Sequence, residues 1–378
     1  MSKQPEYSGK WWALHNSDCI EGMHAMPENS VDCMVTSIPF GDLFVYSDSE
    51  RDLGNAGEGN AFMDQYRFFA EALTRVMKPG RIACIHVTDL PTRKGKHGYI
   101  GLQDFSGEVI KAHETAGMIY HSRATIWKDP VVEMQRTKAL GLLYKQIRKD
   151  SAMNRVGMPD YILFFRKPGD NPDRIEHVAP TMAPTKEIIG WEDADMSILL
   201  YGKIDFVEGP QKPDDGRNWQ PVYKEIRIAS KEAVELARKW LHDLHRQGLA
   251  SEVPTEEQLA ALLPHCEFDV YEWQKLASPV WMDIQQGNVL NRMKGDRDEK
   301  HVCPLQLDII ERCLRLYSKP GDVVMDPFNG IGSTGYQAVK MFRRYLGFEL
   351  KPEYAAQANK NLKEAEASAG GLFEVAAE

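Results

Sequence analysis

The sequence has no apolar run long enough to cross a membrane. A spanning helix needs about 20 mostly apolar residues, and none occurs in the 378-residue chain. The first ten residues, M-S-K-Q-P-E-Y-S-G-K, lack the apolar core of a secretory signal, so a cytosolic location is expected. Paired cysteines are missing as well. The six cysteines (Cys19, Cys33, Cys84, Cys266, Cys303 and Cys313) form no C-x-x-C pair and no zinc-ligand spacing. They read as small core residues. Overall positive charge is also lacking: the net charge is −9, which by itself points to no nucleic-acid partner. What is present is an ordinary globular composition, 43% hydrophobic and 27% charged. A chain of this length is expected to form two domains, or one large domain with an insertion.

The chain is organised around residues 323–349. There V-V-M-D-P-F-N-G-I-G-S-T-G is followed by an amphipathic run and then R-R-Y-L-G-F-E-L. This pattern predicts a strand over 322–325, a glycine-rich turn, a helix over 333–342 and a second strand over 345–348. It is one βαβ unit, with its loop at the carboxyl end of the first strand, where open α/β sheets bind ligands. Gly330 and Gly332 would let backbone approach a ligand closely, and Glu349 is placed to hold a ribose hydroxyl pair. Gly330, Gly332 and Gly335 spell G-x-G-x-x-G, the dinucleotide fingerprint, but alone that signal is weak. The Asp326 carboxylate at the loop entrance would repel a pyrophosphate. It suits a ligand with a free ammonium group, such as the methionine end of S-adenosylmethionine.

The rest of the chain alternates strands and helices up to Phe165. Strands are expected over 11–14, 31–36, 81–87, 123–127 and 161–165, and helices over 20–26, 62–77 and 105–116. Lys78-Pro79-Gly80 reads as a helix terminator. Polar loops are expected over 41–60, beside the site, and over 88–98. The alternation is that of a mostly parallel, helix-covered sheet. Between Gly169 and about Leu276 the alternation stops, prolines and charges crowd in, and helices are expected over 231–246 and 255–263. This stretch reads as a module inserted in the α/β domain. Trp191, Trp219, Trp240, Trp273 and Trp281 are core anchors or base contacts, and for most of them core is the reading preferred. Between residues 136 and 155 six basic residues (Arg136, Lys138, Lys145, Arg148, Lys149, Arg155) face one acid, Asp150. This is either a solvated helix face or a phosphate-contacting segment.

Asp326-Pro327-Phe328-x-Gly330-x-Gly332 resembles the D-P-F-x-G-x-G-T cofactor motif of DNA amino-methyltransferases. Thr36-Ser37-Ile38-Pro39-Phe40 is similar to the T-S-P-P-Y or D-P-P-Y motif with which that family holds its target base. An exocyclic amino nitrogen is a poor nucleophile because its lone pair is delocalised into the ring. Acceptors for both amino hydrogens favour a pyramidal nitrogen aimed at the methyl group. By the resemblance, Ser37 and the Ile38 carbonyl are those acceptors, Pro39 holds the carbonyl in place, and Phe40 stacks on a flipped-out base. Ile38 and Phe40 depart from the family's Pro and Tyr. The resemblance further implies that Asp326 positions the methionine ammonium, that Pro327, Phe328, Gly330, Gly332 and Ser333 line the cofactor pocket, and that Asp18 lies near the adenine. His301 is a candidate cofactor contact. Cys303-Pro304 reverses the Pro-Cys order of cytosine carbon-5 methyltransferases.

The base motif comes first, the inserted module second and the cofactor motif last. That order looks like the beta class of the family, a circularly permuted Rossmann-like sheet. The resemblance covers residues 11–168 and 299–360. It implies three segments: 1–168 as the base-binding half, 169–298 as a mostly helical target-recognition module, and 299–378 as the cofactor-binding half and tail. The function implied is direct methyl transfer from S-adenosylmethionine to an adenine amino group in double-stranded DNA. The enzyme would be solitary and homodimeric, with no metal needed. Three alternatives stay open: cytosine-N(4) transfer, a nicotinamide-dependent oxidoreductase built on G-I-G-S-T-G, and an inactive DNA-binding module.

Overall fold

The computed structural model describes residues 4–40, 53, 61–92, 94–137, 140–154, 156–175, 273, 275–290 and 304–373. The chain divides into two compact units, Met1–Ile175 with Pro279–Glu378, and Glu176–Ser278. The helices expected at 231–246 and 255–263 fall outside the described residues.

In chain order the described strands of the first unit are β1 (Tyr7–Ser8), β2 (Trp12–Asn16), β3 (Val31–Ser37), β4 (Met77–Val87), β5 (Leu90–Pro91), β6 (Leu102–Gln103), β7 (Ile119–Ile126), β8 (Asp160–Arg166), β9 (Val280–Trp281), β10 (Val323–Asp326) and β11 (Arg344–Glu349). The helices are α1 (Cys19–Ala25), α2 (Ala61–Val76), α3 (Lys94–His97), α4 (Phe105–Thr115), α5 (Pro130–Thr137), α6 (Tyr144–Lys149), α7 (Leu307–Tyr317), α8 (Ser333–Lys340) and α9 (Pro352–Phe373). Nine strands form one sheet in the order β1-β2-β11-β10-β3-β4-β8-β7-β9. From β2 to β4 every neighbouring pair is parallel. Strand β8 then runs antiparallel to both β4 and β7. The strands β10 and β11, late in sequence, therefore lie between β2 and β3, two of the earliest. The glycine-rich loop after β10 is thereby set beside residues 37–40 at the end of β3.

Side chains alternate along the central strands and build two separate cores. Cys33, Val35, Ile82 and Cys84 face one side, where they pack with Ile309, Ile310, Leu314, Val339 and Leu362 of α7, α8 and α9. Met34, Ala83 and Ile85 face the other, with Met23, Tyr66, Phe69, Leu73 and Val109 of α1, α2 and α4. Because both faces are covered, the inner strands read as continuous apolar runs, as parallel strands must. Cys19, Cys33, Cys84 and Cys313 are buried free thiols, as expected. Trp281 is buried in the core, whereas Trp273 is 53% exposed; the other tryptophans of the inserted stretch lie outside the described residues.

Four boundaries differ from expectation. Lys78-Pro79-Gly80 does not stand outside the sheet, because β4 already begins at Met77. The pairing jumps from Val31↔Met77 to Cys33↔Ile82, and Gly80 at φ +73° absorbs the bulge. Helix α8 stops at Lys340, and Phe342 takes φ +65°, a reversal that the apolar periodicity conceals. Strand β7 starts at Ile119, four residues early, since Ile119 to Arg123 are exposed or half-buried and form no apolar run. The expected polar loop 88–98 contributes a short ribbon, β5 with β6, and the turn α3.

At the amino end of the parallel strands a buried cation replaces apolar packing. Arg81 is fully buried and lies 2.9 Å from Asp322 and 3.3 Å from Asp32. Lys78 closes on Asp32 at 2.6 Å, and Lys319 and Arg81 share Asp173. The acidic trio Asp32, Asp173 and Asp322 is thus matched by three cations that tie β3, β4 and the approach to β10 together.

Candidate active site

Strands β3 and β10 are neighbours, so their carboxyl ends put Ser37 and Asp326 on one cleft. The cleft holds about 1090 Å3, counted with the solvent at its mouth. Asp18, Ser37, Pro39, Asp326, Pro327, Phe328, Gly330, Ser333 and Glu349 all line it. Residues as distant in sequence as 18 and 349 meet there because the parallel sheet aligns the ends of β2, β3, β10 and β11.

Asp326 is 4% exposed. Its Oδ1 accepts hydrogen bonds from Thr36 Oγ1 at 2.6 Å and the Phe328 amide at 3.0 Å. Among the described residues no cation pairs with it. Burial raises its carboxyl to about 6, against the lowering effect of the bonds from Thr36, Thr334 and the Phe328 amide. A carboxylate buried among neutral donors is relieved either by taking a proton or by a cationic group of a ligand.

The turn after it is built for close approach. Gly330 and Gly332 have φ +53° and +86°, which side-chain-bearing residues rarely adopt. Gly332 caps α8, whose first residue, Ser333, buries an Oγ without a hydrogen-bond partner. Gly335 serves packing instead: a Cβ there would lie 2.4 Å from the Tyr345 ring and 2.6 Å from Leu362. Glu349 ends β11 and braces the loop, accepting the Gly330 amide at 2.7 Å and the Lys351 amide at 2.9 Å. Asp18 is the N-cap of α1, where Oδ1 accepts the amides of Ile20 and Glu21 at 2.8 and 3.0 Å. The residues present therefore suit a ligand with an ammonium group at Asp326, a hydrogen-bonding group at Ser333 and a polar rim at Glu349.

The base motif has a different environment. Ile38 is 2% exposed and its side chain belongs to the core, while Ser37 and Pro39 reach the cleft. Ser37 Oγ lies 2.9 Å from His86 Nδ1, and the Phe40 ring meets His86 at 5.5 Å and 62°. Sequence reading missed His86. C-I-H-V-T reads as an ordinary strand, and only the pairing Ser37↔His86 reveals its place. Thr334, which touches Asp326, and Leu53 and Tyr354, which line the cleft, were missed for the same reason, as was the bond from Thr36 to Asp326.

His301 lies outside the described residues, although Pro304 and Leu305 just after it do line the cleft. Of the basic segment, Lys145, Arg148 and Lys149 are exposed on α6, beside exposed Tyr144 and Ile147. Arg136 belongs to α5, and Lys138 and Arg155 fall outside the described residues. The loop expected over 41–60 does too, except for Leu53.

A family profile described as DNA methylase matches residues 31–360. The Type II methyltransferase M1.MboII of Moraxella bovis is 41% identical over 66 residues, 18% of this chain and 25% of that one. The DNA adenine methyltransferase YhdJ of Escherichia coli K12 is 33% identical over 84 residues, 22% of this chain and 27% of that one. The chain thus aligns with about a quarter of the length of these curated relatives. Among solved structures, a provisionally assigned DNA modification methylase from Thermus thermophilus, complexed with S-adenosyl-L-methionine, superposes with TM-score 0.50 at 19% identity, covering 93% of each chain.

Proposed function

This chain belongs to the DNA methylase family, and we propose that it transfers a methyl group from S-adenosylmethionine to an exocyclic amino group of a base in double-stranded DNA. The observation that carries this reading is the corner at the ends of β3 and β10. There a buried carboxylate, Asp326, with no cation beside it among the described residues, accepts a hydrogen bond from Thr36, the residue preceding Ser37. A cofactor ammonium and a base amino group would be bound within one residue of each other.

S-adenosylmethionine, when bound, supplies an electrophilic methyl group on a sulfonium centre. The chain's residues do the rest. Asp326 holds the ammonium, Ser333 and the backbone of 328–332 line the methionine pocket, and Glu349 holds the ribose with the lone pairs its loop contacts leave. Asp18 faces the adenine with the oxygen not used in capping. Ser37 Oγ and the Ile38 carbonyl accept the two amino hydrogens, which favours a pyramidal nitrogen. Phe40 stacks on a base that must leave the duplex to be reached.

Adenine is the base we favour, because Ile38 and Phe40 remove the strongest cytosine signature, S-P-P-Y; cytosine-N(4) transfer is the second reading. The base motif preceding the cofactor motif supports the permuted beta arrangement. The interposed stretch 169–298 is assigned target recognition by its position. The basic residues of 136–155 are assigned to phosphates. Solitary, homodimeric action belongs to the same reading.

The test is incubation with methyl-labelled S-adenosylmethionine and unmethylated genomic DNA, then nucleoside digestion and mass spectrometry. N(6)-methyladenine is expected. N(4)-methylcytosine would keep the mechanism and reverse the base, and absence of label with cofactor bound would overturn the DNA reading.

A further inference from the structure

Behind Ser37 the cleft wall is a chain of polar side chains. His86 Nδ1 lies 2.9 Å from Ser37 Oγ. On its far side His86 Nε2 lies 3.2 Å from Asp160 Oδ2, at ion-pair distance without the alignment of a hydrogen bond. Asp160 Oδ1 in turn accepts from Lys128 Nζ at 2.6 Å. The side chains of His86, Asp160 and Lys128 are 9%, 7% and 15% exposed, so water competes little for these contacts. Three strand ends supply the row: β3 gives Ser37, β4 His86 and β8 Asp160, with Lys128 just past β7.

We propose that His86, oriented by Asp160 and Lys128, locks the Ser37 hydroxyl as a hydrogen-bond acceptor facing the cleft. His86 is then a positioning residue for the substrate amino group. The inference rests on the function proposed above and deepens it.

A serine hydroxyl by itself both donates and accepts, and rotates to suit. An amino group needs only its acceptor side. Burial would raise the Asp160 carboxyl, but the contact with His86 and then the Lys128 ammonium outweigh it and hold the group at about 2. An ionised carboxylate accepts only, so of the two neutral tautomers of His86 it favours the one with its proton on Nε2. The bare Nδ1 then accepts a hydrogen bond from the Ser37 hydroxyl. The remaining Oγ lone pairs are left for an N–H in the cleft. Serine, histidine and aspartate in a row also occur in acyl-transfer enzymes, where the imidazole removes the proton to make a nucleophile. Here Ser37 adjoins the Thr36–Asp326 corner of the cofactor cleft, where an amino group needs an acceptor and a serine nucleophile has no use.

Four measurements on the full chain test this. Nitrogen-15 spectra of His86, assigned by the signal lost in His86→Asn, are expected to show the Nε2–H tautomer without any turnover. His86→Ala is expected to bind cofactor within about twofold of wild type while kcat falls roughly 10- to 100-fold, the scale of losing a supporting contact. His86→Asn places a carbonyl near the Nδ1 position and is expected to recover most of that loss. Asp160→Asn is the sharpest variant. Lys128 holds the amide carbonyl and turns the NH2 toward Nε2, which moves the ring proton to Nδ1 and makes Ser37 a donor. It is therefore expected to be slower than Asp160→Ala. An Nδ1–H spectrum, or an unchanged kcat in His86→Ala, would overturn the positioning role. Wild-type protein that binds cofactor yet labels no DNA would instead sink the DNA reading, while the spectrum still decides the state of Ser37.

Discussion

One carboxylate that lines the cleft, Asp326, is buried. With no cation beside it among the described residues and raised to about 6, it is stabilising to the fold when protonated. Its contribution is full below the ordinary carboxyl value near 3.8 and is lost as pH rises through about 6. Cofactor binding has the opposite sign, because an ammonium needs the ionised form. Affinity measured by calorimetry is expected to weaken about tenfold per pH unit below 6, and a pH-independent Kd would refute the ammonium site. Asp326→Asn keeps the acceptor and removes the charge. It is expected to leave Tm unchanged or higher while cofactor affinity falls roughly 10- to 150-fold, the range for a lost charged hydrogen bond. Ser37→Ala and Phe40→Ala are expected to bind cofactor normally and lose transfer, so equilibrium binding and turnover separate the two halves of the site. Glu349 is a residue whose part is double. It was read from sequence as a ribose ligand, and it also accepts two loop amides, so its loss should loosen the loop as well as the ligand.

The elements hold these side chains through two different kinds of contact. Helix α8 lies close on β11 because position 335 has no Cβ: an added methyl would meet Tyr345 at 2.4 Å and Leu362 at 2.6 Å. Gly335→Ala is therefore expected to destabilise by about 1–3 kcal/mol through overpacking, read as a lower midpoint in chemical denaturation. At the other end of the sheet, Arg81 sits fully buried between Asp32 and Asp322. Arg81→Met leaves those carboxylates buried without their shared cation. The expected cost is about 3–5 kcal/mol, with most of it recovered when Asp322→Asn is added; an additive double variant would mean that the network is not coupled. Both contacts lie outside the cleft, near the amino ends of β10 and β11, the strands whose carboxyl ends carry Asp326 and Glu349.

At the scale of the whole molecule, partner recognition belongs to charge distribution, since the net charge of −9 repels DNA. If α6 meets phosphates through Lys145, Arg148 and Lys149, replacing all three by Ala should flatten the salt dependence of DNA binding by about one log-log unit per residue. An unchanged slope would return α6 to a solvated face. Which parts of this were legible beforehand follows from the range of the interactions. The unit from β10 through α8 to β11, with Asp326, Gly330, Gly332 and Glu349, could be read because turn, helix and strand signals are local and the cofactor loop is continuous in sequence. Ser37 to Phe40 could be read because they too are contiguous. The partners of these residues could not. His86 faces Ser37, and Thr36 bonds Asp326, only because β3 lies between β4 and β10. Arg81 is buried only because three acids converge on it across the sheet. Strand order and register are settled by packing over long loops, and no local pattern encodes them. The sequence alone therefore determined the residue types and the loops of the site. Tertiary structure decided which of them touch, how deeply Asp326 is buried and that Ser37 meets His86.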